Sequence, residues 1–401
     1  VIVATVNPQV NNGRMPLSIA VMPIGWDFLI SDMQIKEVIQ FLDAWAHPSL
    51  QESYDNAGLL TGNPEWEVKG ILVSLDCTEE IIKEATLRNC NLVIAHHPIV
   101  FKGLKKFTGR NYVERTLIGA IKQDVALFAM HTNLDNVPDG VSRKMASLMG
   151  LINGRVLSPM DSILRRLSVY VPTNFIDSVS NALFAAGAGK LGNYSECGFQ
   201  VEGTGSFKPL EGADPFVGKP GERHYEKEAK LELVFPSFLK KRVMEALRKS
   251  HPYEEVAYGI FQMENEEGYT GAGIIGEFEK PITESQLLDL LCNVFKIPVV
   301  KHTSFIGKSI KKVALCGGAG SFLLATAINQ GADAYITSDI KYHEFFDADN
   351  RILLADIGHY ESEQFTMDLI IDKLTANFPN FAVLKTGSCT NPVRYFTGTQ
   401  A

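Results

Sequence analysis

A short apolar run, Leu92-Val93-Ile94-Ala95, ends abruptly in His96-His97-Pro98. A strand that is apolar on both faces must be covered on both, which is the pattern of a buried strand in a parallel sheet. Pro98 has no backbone donor and biases His97 toward extended geometry, so the chain leaves the sheet there. Two imidazoles are therefore set at the carboxyl end of a buried strand. For an isolated pair, one satisfied core histidine and one surface histidine is the commoner arrangement. The groups that the rest of the chain brings to the same edge alter that balance.

Residues 70–76 (GILVSLD) form a second buried-strand pattern ending in Asp76, and Thr78-Glu79-Glu80 opens a helix to residue 88, with acids in its first turn where the helix dipole favours them. After the His-His strand, a helix over 112–123 leads to a third strand at 125–130, which runs into His131-Thr132-Asn133-Leu134-Asp135. Strand, helix, strand at this spacing is a βαβ unit, whose crossover is right-handed. Asp76, His96 with His97, and His131 with Asp135 thus arrive at one sheet edge, where open parallel sheets bind ligands. Upstream, 33–42 is an amphipathic helix with Ile35, Val38, Ile39 and Leu42 on one face, and 52–60 reads as a turn around Asp55-Asn56 and Gly58.

At 401 residues the chain exceeds what one core usually supports, so two or three domains are expected. A formal charge of −8 and a pI near 5.7 argue against general nucleic-acid binding, which needs clustered Lys and Arg. Six cysteines lie scattered with no CxxC pair, indicating neither a zinc knuckle nor a disulfide framework and fitting a reducing cytoplasm. No apolar run reaches the roughly 18 to 20 residues of a membrane-spanning helix, so no membrane association is expected. The mildly apolar stretch 17–30 is interrupted by Pro23, Gly25 and Asp27, which makes a signal peptide a weak reading. Residues 1–32 are expected to be a poorly ordered extension.

From about residue 164 the pattern becomes self-contained. Strands at 167–171, 196–207, 229–235 and 256–263 and helices at 175–186 and 237–250 occur in the order β-α-β-β-α-β, the ferredoxin-like split unit. Within it, His251-Pro252-Tyr253-Glu254-Glu255 tempts a metal reading, but a helix exit with solvated acids is favoured. Residues 277–281 read as a link back to the α/β pattern, which resumes with a helix at 285–295 and a strand at 312–316. Gly317-Gly318-Ala319-Gly320-Ser321 then turns toward a helix at 322–329. A tight turn is favoured there over a phosphate cradle. A strand at 334–337 ends at Ser338-Asp339, with Lys341 and His343 just beyond, and a strand at 351–355 leads through Asp356 to Gly358-His359-Tyr360-Glu361-Ser362-Glu363. His359 and Glu363, four apart, share a face of a helix that starts there.

The ligand-type groups at strand ends are His96, His97, Asp135, His359 and Glu363. Three imidazoles and two carboxylates suit Zn, Mn, Fe or Ni, whereas Mg or Ca would prefer oxygen alone. Five ligands exceed the need of one open catalytic ion and a carboxylate can bridge, so two divalent ions is the better count.

At these positions the sequence resembles the NIF-three-like family, the GTP cyclohydrolase I type 2 homologues. The resemblance rests on YDNAGL at 54–59, AHHP at 95–98, HTNLD at 131–135, SDIKYHE at 338–344 and GHYESE at 358–363. It implies two Rossmann-like α/β halves, 33–161 and 273–401, around one dinuclear metal core, with 162–272 as an inserted PII-like or CutA-like domain. It further implies one ion held by His97, Asp135 and Glu363 and another by His96, His359 and Glu363, in a toroidal homohexamer. Asp339 and Lys341 would then face substrate, and His131 and His343 are the candidates for proton transfer. Two functions remain open: a metal-dependent hydrolase of a small nucleotide-like or phosphorylated substrate, and a non-enzymatic regulatory hexamer whose insert senses a ligand.

Overall fold

In the computed structural model, residues 33–265 and 268–396 are described, and the expectation for residues 1–32 lies outside them. Helix α1 (Ile35–Trp45) buries Ile35, Val38 and Leu42, the face its periodicity marks. After it come β1 (Gly58–Thr61), β2 (Ile71–Ser74), α2 (Glu79–Leu87), β3 (Leu92–Ala95), α3 (Tyr112–Lys122), β4 (Ala126–Ala129), the single turn α4 (Thr132–Asp135), α5 (Val141–Leu148) and β5 (Ile152–Pro159). Every residue of β2, β3 and β4 is buried, as their unbroken apolar runs require. Asn111 caps α3 by accepting from the Glu114 amide at 2.9 Å.

The next elements are β6 (Leu164–Pro172), α6 (Ile176–Ala185), β7 (Gly198–Phe207), β8 (His224–Pro236), α7 (Lys240–Ser250) and β9 (Tyr258–Gln262). They form a separate four-stranded antiparallel sheet in the order β7-β8-β6-β9, the strand order of a ferredoxin-like unit. Leu167, Val169, Leu233 and Phe235 pack there against Val179 and Leu183 of α6 and Val243 and Leu247 of α7. This unit has its own core.

The chain returns through β10 (Gly271–Ile282), α8 (Glu284–Phe295), β11 (Lys301–His302), β12 (Ile310–Ala319), α9 (Leu324–Asn329), β13 (Ala334–Ser338), β14 (Leu353–Asp356), α10 (His359–Glu363), α11 (Thr366–Asn377) and β15 (Val383–Lys385). One sheet runs β1-β4-β3-β2-β15, with β1 antiparallel at its edge and the chain's last strand parallel to β2. A second runs β11-β14-β13-β12-β10-β5, parallel from β12 to β14 and antiparallel elsewhere. One apolar cluster joins Ile71, Ile94 and Phe128 of the first sheet to Val313, Ile336 and Leu353 of the second, through α1, α5, α8 and α11. The two sheets share this core and turn their carboxyl ends toward one cavity.

Two expectations are corrected here. The link expected at 277–281 is the second half of β10, a 12-residue strand. β10 is held by pairing with β12 on one side and β5 on the other. The turn expected at 52–60 ends earlier, because Gly58–Thr61 pairs with β4 as an edge strand. Among the described residues no helix is long and apolar enough to cross a membrane.

Candidate metal centre

The strand ends deliver the expected residues to one place. His96 and His97 stand just after β3, His131 just after β4, and Asp135 closes the turn α4. From the second sheet, β14 passes through Gly358 into α10, whose first and last residues are His359 and Glu363. His96, His97 and His131 form one cluster of donor atoms, and His97, His359 and Glu363 form another. His97 belongs to both.

Each of the four imidazoles is oriented by an acceptor at Nδ1. His96 donates to the Met130 carbonyl at 2.7 Å, His97 to Asp76 at 2.8 Å, His131 to Asp55 at 2.8 Å and His359 to Asp339 at 2.6 Å. A ring whose Nδ1 carries the proton turns a bare Nε2 lone pair to the opposite side, the arrangement that metal-ligating histidines use. His97 and His359 bring their Nε2 atoms within 3.2 Å of each other and within 2.9 and 3.1 Å of Glu363 Oε2. The other Glu363 oxygen lies 3.7 Å from His96 Nε2, which is 3.8 Å from Asp135 Oδ1. His96 Nε2 and Asp135 Oδ1 are both buried and have no hydrogen-bond partner among the described residues.

That last pair tests whether the residues fit a metal. A buried polar atom left without a partner costs about 1–3 kcal/mol, so two facing each other need a third party. Ligand bonds of about 2.0–2.2 Å set donor atoms about 3.0 to 4.2 Å apart, depending on the angle at the ion. All the inward-facing separations except the 2.9 Å contact of His97 with Glu363 fall in that range. Gly318 completes the cradle: its φ is +62°, and a Cβ there would stand 2.2 Å from Glu363 Oε1. No other residue type leaves room for the carboxylate.

The charges are arranged around Glu363. Burial would raise its carboxyl, but His96, His359 and His97 outweigh this and hold it well below the usual range. Burial, and then the charge of Glu363, raise Asp135. Burial would also lower His97 and His359, but hydrogen bonds to Asp76 and Glu363 push His97 up to about 9, and those to Asp339 and Glu363 push His359 up to about 11. Without an ion, protons hold these imidazoles against the carboxylates. Cys77 and Cys316 are buried beside the site, and burial pushes the Cys77 thiol up to about 12 and the Cys316 thiol higher still.

The cluster opens on a cavity of about 1140 Å³ with Tyr54, Phe101, Tyr112, Phe322 and Tyr395 among its walls. Asp339 lines it. Lys341 and His343 do not, contrary to expectation: Lys341 extends into solvent and the His343 ring packs on Tyr342 and Phe346 in the exposed turn Tyr342–Ala348. His131, expected as a proton-transfer group, stands beside the His96 and His97 rings, with its ring centroid 5.4 Å from that of His96 and 5.5 Å from that of His97. The distances also pair His96 with Asp135 and His97 with His359, where the resemblance pairs His97 with Asp135 and His96 with His359. The glycine stretch expected to be a turn after residue 316 is instead the end of β12 up to Ala319, with Gly320 following it, and is a packing device. Its Gly318 amide donates to Ser362 at 2.9 Å and its Gly320 amide to Thr337 at 3.0 Å, which leaves neither for a phosphate.

Three supporting residues escaped the sequence reading. Asp55 lies in the YDNAGL stretch, read there only as a turn. Thr390 donates to Asp76 at 2.6 Å and Asn391 to Glu361 at 2.9 Å, so the segment after β15 braces residues from both sheets. For Asp55 the nearest signal was a lone acid upstream of a histidine-ended strand. For Thr390 and Asn391 there was none.

The family Duf34/NIF3 (NGG1p interacting factor 3) matches residues 33–392. A Halalkalibacterium halodurans protein named GTP cyclohydrolase 1 type 2 homolog is 38% identical over 324 residues, which cover 80% of this chain and 87% of the relative. A Bacillus subtilis protein of the same name is 36% identical over 343 residues, covering 85% of this chain and 92% of that one. Among solved structures, a Bacillus cereus protein related to NIF3 superposes with a TM-score of 0.81 at 31% identity, covering 91% of this chain and all of the other.

Proposed function

The chain belongs to the Duf34/NIF3 family, and from that premise we propose that it is a dinuclear, divalent-metal-dependent hydrolase of a small nucleotide-like or phosphorylated substrate. The observation that carries the metal reading is the facing pair of buried, unpartnered donors, His96 Nε2 and Asp135 Oδ1. On the distances, His96, Asp135 and one oxygen of Glu363 would hold one ion, and His97, His359 and the other oxygen the second. Zn, Mn, Fe or Ni suits this nitrogen and oxygen set. Ions held there would activate a water and offset the charge that develops on a carbonyl or phosphoryl oxygen.

The chain's own groups supply the rest. His131 lines the cavity, and Asp55 fixes its Nδ1 proton, leaving Nε2 free to take or give a proton at the reacting centre. Thr132 donates to the same carboxylate through its backbone amide, which locks Asp55 in place. The aromatic walls offer flat apolar faces to a base or similar ring. Two Rossmann-like halves, a PII-like or CutA-like insert, a homohexameric toroid and a cytoplasmic setting belong to the same proposal.

A screen of nucleotides and phosphoesters against metal-loaded protein, with Glu363→Gln as control, tests it. Turnover lost on chelation and in the variant is the expected result. Two ions bound with no turnover on any substrate of either class would leave a binding protein rather than a hydrolase.

A further inference from the structure

A second cavity, of about 460 Å³, lies wholly within the four-stranded unit and shares no lining residue with the metal centre. It sits where the end of β7, the loop after it and the His251-Pro252-Tyr253-Glu254-Glu255 stretch meet over β8. That stretch is not a metal site. His251 is buried and both its nitrogens are satisfied, Nε2 donating to the Tyr170 carbonyl at 2.9 Å and Nδ1 accepting from the Tyr253 amide at 3.1 Å. Its role is to hold Tyr253 over the cavity.

The floor of the cavity is a carboxylate. Glu228 on β8 is only 8% exposed, and Tyr253 donates to its Oε1 at 2.9 Å. Among the described residues its Oε2 has no hydrogen-bond partner and no Lys or Arg pairs with it. The backbone leaves room for this group: a Cβ on Gly205 of the neighbouring strand would stand 2.0 Å from Glu228 Oε2, so a larger residue there would displace the carboxylate from its present place. This leaves one carboxylate oxygen on the cavity floor for a cation or donor to meet. The walls are aromatic: the Phe207 and Tyr253 rings meet edge-on at 5.8 Å, and Phe216 lies 6.3 Å from Tyr253. At the rim, Glu254 and Glu255 are exposed and outnumber Lys208.

We propose that this pocket binds a small organic cation, an ammonium or guanidinium group on an apolar body, with Glu228 as its counter-ion and Phe207, Phe216 and Tyr253 as its walls. Aromatic faces attract such cations, and the one buried carboxylate completes the recognition. A metal ion does not fit, because a hard cation needs six or more oxygen ligands, whereas Glu228 is the one buried carboxylate here. The size matches a ligand of small-molecule dimensions. The insert is thereby a binding module with a ligand of opposite charge to any phosphorylated substrate of the metal centre.

Calorimetric titration of the full chain with benzylammonium and with benzamidinium tests the assignment, with benzyl alcohol and benzoate as controls. One saturable site per chain is expected for the cations and none for the neutral or anionic probes. Glu228→Gln keeps an acceptor for Tyr253 and should weaken the cations by about tenfold or more. Phe216→Ala, at a ring 52% exposed, removes a wall without disturbing a core and should weaken them too. Metal content should be unchanged in both variants. Absence of saturable cation binding, equal binding of benzoate, or cation affinity unchanged in a folded Glu228→Gln protein would overturn the proposal.

Discussion

His96 Nε2 and Asp135 Oδ1 face each other across 3.8 Å, both buried and neither with a hydrogen-bond partner among the described residues. Glu363 lies between this pair and the pair formed by His97 and His359, one oxygen toward each. Glu363→Ala should therefore remove both ions, while Asp135→Ala should chiefly weaken the one shared with His96. Metal analysis of the purified variants checks this, and two ions retained without Glu363 would end its role as the bridge.

Loading should release protons, with a sign set by His97 and His359. Both are raised above the ordinary imidazole value of about 6.5, to about 9 and about 11, by carboxylates that outweigh burial. In metal-free protein their contribution to stability is full below about pH 6.5 and is lost as pH rises through the raised values. Ions compete with those same protons. The gap in melting temperature between loaded and chelated protein should widen from about pH 6.5 to about 9, and a constant or shrinking gap would contradict it.

Asp55→Asn should loosen His131. The Asp55 side chain is buried and accepts from His131 and from the Thr132 amide and hydroxyl. Losing charge-assisted bonds of this kind costs about 1–3 kcal/mol in urea unfolding, and loss of a partner that orients a metal-site histidine costs about 10- to 100-fold in metal affinity or turnover. A variant that matches the parent in both would leave Asp55 as no more than a turn residue.

Thiol alkylation should spare turnover. Cys77 and Cys316 are buried, with thiols pushed far from the thiolate range, and the exposed Cys389 is the thiol most open to reagent. Activity lost to alkylation while both ions stay bound would return the nucleophile to a cysteine.

Removing the four-stranded unit should leave a folded metal-binding core. Pro159 of β5 stands opposite Gly271 of β10 in antiparallel register, so the two ends of the excision are already neighbours. Replacing 161–269 with a turn of about four residues should close them as a hairpin. The cut must stop short of β10, since the division expected at residue 272 falls inside that strand. Insoluble or metal-free product from several such turns would show that the unit supports the main core.

The main features of the site were legible because they are encoded locally. A buried parallel strand needs an unbroken apolar run, and the residues just beyond that run must lie at the sheet edge, so His96, His97, His131 and Asp135 could be placed together from one stretch of sequence. The four-residue spacing of His359 and Glu363 likewise specified one helix face. The insert's element order identified its topology before any contact was known.

What the sequence determined by itself was which residues stand at strand ends and which chemistry their types allow. Tertiary structure alone decided how they face. Whether His131 is a ligand or a proton carrier, and which imidazole meets Asp135, depends on acceptors such as Asp55 and Met130, brought to the rings by sheet pairing rather than by spacing. Lys341 and His343 were misplaced for the same reason, since a strand end marks an edge but not the direction of the next turn. β10 shows it most plainly: its residues 277–281 read as a link, and they continue a strand only because β5 and β12, each distant in the chain, pair with β10 on its two sides. Apolar periodicity is a property of neighbours in the chain, whereas hydrogen-bond closure is a property of neighbours in space.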